Sequence, residues 1–384
     1  MSSPRERELV SIKVFAHILR EGYMNFDVTS YQPNEKIRTR IHTARAWSAG
    51  VLSVVAATCA SLAAPIAVDV GNMTVPTDPS QPLKIALFLP ALVTPYLQAN
   101  LKGAQDEAAK TGASVSIFDA KADPMSQLNQ MQNAIQTKQY NAFLALPIAG
   151  PVVCKVATEE APKAGILVST YHFSVCDTAF AEGDKQWSPG TLQFVGGSTS
   201  YRVTKDYLEY IMKSNPGPQK VGVITGLDLA ADTLRMKKAL AELKSNYPDF
   251  QIVDIQPTDF TIPDAQKHAQ NMLQTHPDIS IVVTNWYTIT RGSLSAIEQA
   301  GKSGKIKLYD FGGTSWSKKA IEAGQVMATV PIYGHTATAV AVRNLALAHQ
   351  GQKVPHYIPN DGAPADAPSI VDKSNIDKFI PESD

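Results

Sequence analysis

The chain has 384 residues, 44% of them hydrophobic, and its 35 basic and 35 acidic side chains cancel. That length supports a sizeable core divided between two lobes or domains. The balanced charge argues against a nucleic-acid partner, and beyond residue 80 no apolar run reaches the roughly 18 residues that a membrane bundle needs.

In chain order, the first distinctive segment is N-terminal. Lys36, Arg38, Arg40 and Arg45 precede an uncharged stretch of small apolar residues from Ala46 to Ala67. A basic region followed by such a run reads as a secretory signal, so residues 1–67 are expected to be an export signal with a long N-terminal extension. Met24 is an alternative start, and a retained membrane anchor is the other reading of the same run. Thr58 before Cys59 makes a poor lipoprotein box. Residues 68–82, rich in Pro, Thr and Ser, read as a tether.

From Leu83 onward, short apolar runs alternate with amphipathic stretches. Residues 85–89, 115–119, 143–147 and 166–170 read as buried strands, with helices at 96–111, 124–138 and 151–164 between them. A second run of strands is expected at 192–197, 221–225, 250–255, 279–284, 305–311 and 326–330. This alternation predicts an α/β fold with two Rossmann-like lobes, each a parallel sheet flanked by helices, with ligand-facing loops at the carboxyl ends of the strands. The division expected is 83–197 for the first lobe, completed by about 333–362, and 198–332 for the second, completed by about 363–384. Gly196 and Gly197 at the seam are either a hinge or the tight turn before the next helix.

The first strand breaks at Pro90 and Pro95 without a GxGxxG or GxxxxGK[ST] cradle, and carries Thr94 and Tyr96 instead. Hydroxyls and an aromatic face suit a small organic solute better than a pyrophosphate. The eight histidines show no HxH or HExxH spacing, and no GxSxG, SxxK or paired catalytic carboxylates stand at strand ends. No metal, cofactor or catalytic set is therefore expected. If export removes Cys59, Cys154 and Cys176 remain, flanking one helix and one strand; they are expected to form a disulfide, the alternative being two separate buried thiols.

Four stretches resemble the ribose-binding type of periplasmic solute-binding protein, the receptor component of ABC importers: IALFLPALVTPYLQANLKGAQDEAAKTG, PTDFTIPDAQKHAQNMLQTHPDISIVVTNW, AIEQAGKSGKIKLYDFGGT and ATV. The resemblance covers roughly Leu83 to Ile376. It implies the type I periplasmic binding protein fold, two lobes joined by crossing segments and closing on a solute. It also implies that Thr94 and Tyr96 contact ligand, that Phe260 stacks on it, that Asn285 hydrogen-bonds it and that Arg235 clamps it. Where sugar binders of the family carry an Asp-Arg pair, this chain has His172 and Phe173. Gly312 takes the place of a carboxylate, and Ile332 and Tyr333 that of a polar amide. With Tyr171 and Trp286, these residues make a mostly aromatic wall, so the expected ligand is not a sugar but a fairly apolar, aromatic or cationic molecule.

The expectation is thus an exported, periplasmic, monomeric receptor that is not an enzyme and that delivers a small molecule to an ABC permease. A sensor subunit reporting to a membrane histidine kinase is the nearest alternative. A repressor of the LacI type would need an N-terminal helix-turn-helix, which the first 60 residues do not display.

Overall fold

The computed structural model describes residues 65–383 apart from Asp177 and Leu229. The basic segment, Cys59 and nearly all of the expected export signal lie outside them.

The described chain starts with a hairpin, β1 (Ile66–Asp69) and β2 (Thr74–Thr77), paired antiparallel with Ile66 opposite Thr77. Val70 and Val75 are fully buried. Residues 68–82 are thus no free tether, and Ile66 and Ala67, placed within the signal by composition, pair with Thr77 and Pro76. The hairpin holds because alternating valines face inward around a Gly71 turn that only glycine takes easily, at φ +92°.

The first lobe is a six-stranded parallel sheet in the order β13-β7-β6-β5-β3-β4. Its strands are β3 (Lys84–Leu89), β4 (Ser114–Asp119), β5 (Ala142–Ala145), β6 (Leu167–His172), β7 (Gln193–Gly196) and β13 (Tyr357–Ile358). Helix α1 (Pro95–Thr111) follows β3, α2 (Pro124–Thr137) follows β4, and α3 (Gly150–Lys155) runs through a π-helical turn into α4 (Ala161–Lys163). Strand β3 is buried on both faces from Ile85 to Leu89, as a parallel sheet covered by helices requires. The strand at 192–197, read as opening the second run, pairs with β6 and belongs to this sheet.

The second lobe is a four-stranded parallel sheet, β11-β10-β8-β9, built from β8 (Gln219–Thr225), β9 (Phe250–Pro257), β10 (Ile281–Thr284) and β11 (Lys307–Tyr309). Helix α5 (Tyr201–Ser214) leads into β8, helices α6 (Ala231–Leu243), α7 (Ile262–Thr275) and α8 (Tyr287–Gln299) connect its strands, and α9 (Ser315–Glu322) follows β11. A small antiparallel pair, β12 (Ala328–Thr329) with β14 (Val371–Asp372), adjoins it. Helix α10 (Gly334–His349) returns to the first lobe and lies along α1. The two approach closely because Gly103 has no side chain: a Cβ there would fall 2.2 Å from the His335 carbonyl oxygen.

Three segments cross between lobes: 197–200, 330–333 and 359–370. Ser198, Tyr333 and Asp361, one from each, meet at a single carboxylate. The Ser198 hydroxyl and the Tyr333 N–H, the latter at 3.3 Å, both donate to Asp361 Oδ2. Gly197, at φ +104°, lies against the Tyr357 hydroxyl. The 197–200 segment also turns tightly, with the Ser200 N–H bonded to the Gly197 carbonyl at 3.1 Å. Among the described residues no helix is long and apolar enough to cross a membrane, and no cluster of side chains could hold a metal ion.

Candidate functional site

Helix α1 starts where β3 breaks. Pro95 supplies the fixed φ of a first helical residue, and the Thr94 hydroxyl caps the helix by accepting the Leu97 N–H at 3.3 Å. At the second helical position, Tyr96 points its ring across the seam. It meets Trp286 of the second lobe edge-on at 5.5 Å and His172 of its own lobe at 5.2 Å. His172 in turn sits 4.3 Å from Phe173 and 6.3 Å from Trp286. The carboxyl ends of β3, β6 and β10 thereby bring Tyr96, His172, Phe173 and Trp286 into one aromatic group, as the topology of open parallel sheets favours. Tyr287, next to Trp286, turns its hydroxyl toward Thr94 and the Tyr96 backbone.

Two residues here hold a backbone conformation that side chains disfavour: His172 at φ +62° and Phe260 at φ +66°. Such conformations cost about 1 kcal/mol or more and persist where surrounding structure enforces them. Phe260 is closely packed. Its ring lies flat against Gly226, where a Cβ would come within 1.8 Å of a ring carbon.

Arg235, 2% exposed, reaches from α6 to the first lobe. Its Nε donates to the Ala179 carbonyl at 2.7 Å, its Nη1 to the Thr199 carbonyl at 2.8 Å, and its guanidinium carbon stands 5.9 Å over the Phe173 ring. Burial lowers its pKa, while Asp232 and Glu182 act the other way. Asn285 is spent on the protein itself. Its Oδ1 accepts the Gly226 N–H at 2.9 Å and its Nδ2 donates to Thr233 at 3.1 Å and Asp232 at 3.4 Å, fixing the loop after β8. Gly312 (φ +132°) lies against the Tyr287 ring, and Ile332 is buried in the core. Neither joins the aromatic group.

Tyr171 is fully buried, and its hydroxyl finds no partner. The same is true of the Tyr96 hydroxyl, both side-chain ends of Asn100, His172 Nδ1 and Asp361 Oδ1. Burial pushes the Tyr96 and Tyr171 hydroxyls well up. Burial, and then the Arg235 charge, push His172 down to about 3, so its imidazole is neutral at physiological pH. Burial also pushes Asp361 up to about 6, with the Ser198 and Tyr333 donors opposing it and Glu382 adding to it. Asn100 and Asp361 are the residues that sequence reasoning passed over. Asn100 stands four residues after Tyr96, hence on the same helix face, and that spacing was the available signal.

Cys154 in α3 and Cys176 in the loop after β6 form a pair with Cα atoms 4.5 Å apart. The pair ties α3 to the loop that carries Phe173 and Ala179.

Residues 85–353 match the model of a family described as a periplasmic binding protein domain. The chain belongs to the periplasmic binding protein family. It is similar to the D-allose-binding periplasmic protein of Escherichia coli K12, at 27% identity over 73% of this chain and 88% of that protein. The ribose import binding protein RbsB of the same organism matches at 26% identity over 72% of this chain and 88% of the relative. Among solved structures, an ABC transporter solute-binding protein from Burkholderia graminis C4D1M in complex with D-arabinose superposes with a TM-score of 0.67 at 18% identity, covering 77% of this chain and 97% of that one. Another, from Actinobacillus succinogenes 130z with bound D-allose, gives 0.65 at 20% identity, covering 78% and 100%. These likenesses show the type I, two-lobed fold. The family match makes this a periplasmic binding protein domain, and the curated relatives are named as binding proteins, one of them for import.

Proposed function

We propose that this receptor captures one small solute between its lobes, works outside the cytoplasm as a monomer, and hands the solute to a membrane permease. The contact surface in this reading is Tyr96, His172, Phe173, Phe260 and Trp286, with Arg235 holding the lobes together at its edge. One observation carries it: buried polar atoms without partners stand beside aromatic rings at the strand ends that face the other lobe. Burying a polar group unpaired costs free energy that a bound solute can return.

Such a lining fits a solute with an apolar face and a hydrogen-bonding edge. The relatives named for their ligands bind sugars, so the expectation of a ligand unlike a sugar gains no support from them. The missing Asp-Arg pair at His172 and Phe173 still leaves a hydroxylated ligand to be recognised by other groups.

Thermal unfolding of the purified protein against sugars, polyols, carboxylates, aromatic acids and amines tests the reading. A ligand at 100 times its Kd adds about 2.7 kcal/mol to stability. A shift with one class, abolished by Tyr96→Ala while the ligand-free transition moves little, supports it. If no class shifts the transition, the reading fails.

A further inference from the structure

Behind the aromatic group, toward the crossing segments, lies a second set of side chains with a chemistry of its own. Asn100 Oδ1 and the Tyr96 ring both pack against Gly334, next to Tyr333, whose N–H donates to Asp361, and the Asp361 and Tyr171 groups act electrostatically on the Tyr96 hydroxyl. These groups come from α1, β6 and the third crossing, and the Tyr96 and Tyr171 hydroxyls, both ends of Asn100 and Asp361 Oδ1 are buried without a partner. Gly334 lets Asn100 and Tyr96 pack this closely. A Cβ there would fall 2.6 Å from Asn100 Oδ1 and 2.7 Å from the Tyr96 ring. An asparagine with no exposed surface, in mid-helix, whose amide has only the Tyr96 hydroxyl within reach, is a costly choice where leucine would fit the pattern of the face.

The carboxylate narrows the chemistry. Asp361 Oδ2 is bonded by Ser198 and Tyr333, both neutral donors. The charged group acting on Asp361 is Glu382, of the same sign. A hydroxyl would meet the hydrogen bonds of this set but leave a buried carboxylate uncompensated, which is the expensive case. An ammonium meets both needs. Its N–H groups can be accepted by Asp361 Oδ1, Asn100 Oδ1 and one tyrosine oxygen, while Asn100 Nδ2 and the other tyrosine donate to a neighbouring hydroxyl.

We propose that the hinge end of the cleft is a subsite for a basic nitrogen, built by Asn100, Tyr96, Tyr171 and Asp361, so that the captured solute is a small hydroxyl-bearing amine such as an amino sugar or amino polyol. The proposal rests on the seam being the solute site.

The test uses matched pairs on the purified full-length chain: D-glucosamine with D-glucose, D-galactosamine with D-galactose, and an amino polyol with its parent polyol, titrated calorimetrically. In at least one pair the amine binds tighter by about tenfold or more, as a charge-assisted contact requires. Asp361→Asn brings that ratio to within about threefold. Asn100→Leu, which fills the same space without polar atoms, lowers amine affinity by about tenfold or more while the unfolding temperature holds or rises. Asn100→Leu also serves should Asp361→Asn not fold. If the hydroxyl member binds as well as the amine in every responding pair, or Asp361→Asn leaves the ratio unchanged, the amine subsite is refuted and the receptor reading stands. If neither these pairs nor the other solute classes produce any response, both fall.

Discussion

A carboxyl raised to about 6 by burial, as at Asp361, costs folding free energy at neutral pH. The unfolded chain ionises it near the ordinary value of 3.8. Between those values the folded state binds the extra proton, so stability falls as pH rises through the window and the full cost is present above it. The size is about 3 kcal/mol. Asp232, half-buried as a residue but with its carboxyl also raised to about 6 by desolvation, acts in the same sense. His172, lowered to about 3, acts in the opposite one: its contribution is lost as pH falls below the ordinary 6.5. The difference between wild type and Asp361→Asn isolates the one group. The variant should be the more stable at pH 7, by up to about 3 kcal/mol, and the gap should close by pH 4 in urea unfolding. A gap that does not change with pH would mean that Asp361 is not raised. Arg235 supports a second expectation. Arg235→Met leaves the Ala179 and Thr199 carbonyls without their donors, so a loss of roughly 2 to 4 kcal/mol is expected, with Arg235→Lys recovering only part of it because a lysine cannot present the same fork. At this scale the sequence was half legible. Tyr96, Phe260 and Arg235 were singled out through the resemblance, and His172 and Phe173 as departures from it. Asp361 was not, because nothing in a proline-rich tail indicates that its carboxylate will be enclosed by Tyr333 and by Ser198 from the far crossing segment.

Strands were the most legible elements, since a parallel strand buried on both faces is a continuous apolar run, as in Ile85 to Leu89. The β1–β2 hairpin was not. Pro76, Thr74 and Thr77 gave it the composition of a linker, and its valine alternation is too short to outweigh that. The pairing of Cys154 with Cys176 could be anticipated because the start of a helix and the loop after the following strand lie at one end of a sheet. Thiol titration of the native protein should find neither cysteine reactive. Cys154→Ser/Cys176→Ser should lose about 2 to 4 kcal/mol in stability. It should also lower solute affinity, since the tie holds the loop carrying Phe173 and Ala179, the latter being the acceptor for Arg235. Stability loss with affinity unchanged would confine the bridge to a structural role.

At the scale of the whole molecule, the Tyr96–Trp286 and Arg235–Ala179 contacts are among those that join the lobes. Opening the cleft must part Tyr96 from Trp286 and withdraw Arg235 from Ala179, while the backbone rotation falls on three crossings gathered at Asp361. A solute seated against that carboxylate would touch the hinge itself, so binding and closure would be one event. Trp286 can report it. Trp187 stacks on His356 within the first lobe at 4.1 Å, and Trp316 lies under Arg291 of its own lobe at 5.7 Å. Only Trp286, among the described tryptophans, has a ring contact across the seam. Solute addition should therefore change the intrinsic fluorescence, Trp286→Phe should remove the change, and Trp187→Phe should keep it. The Phe variant retains an aromatic ring against Tyr96, so a loss of signal with affinity held within a few-fold separates a reporter from a damaged site. A change that survives Trp286→Phe and vanishes with Trp187→Phe would place the motion within the first lobe and remove lobe closure as the way this receptor holds its solute.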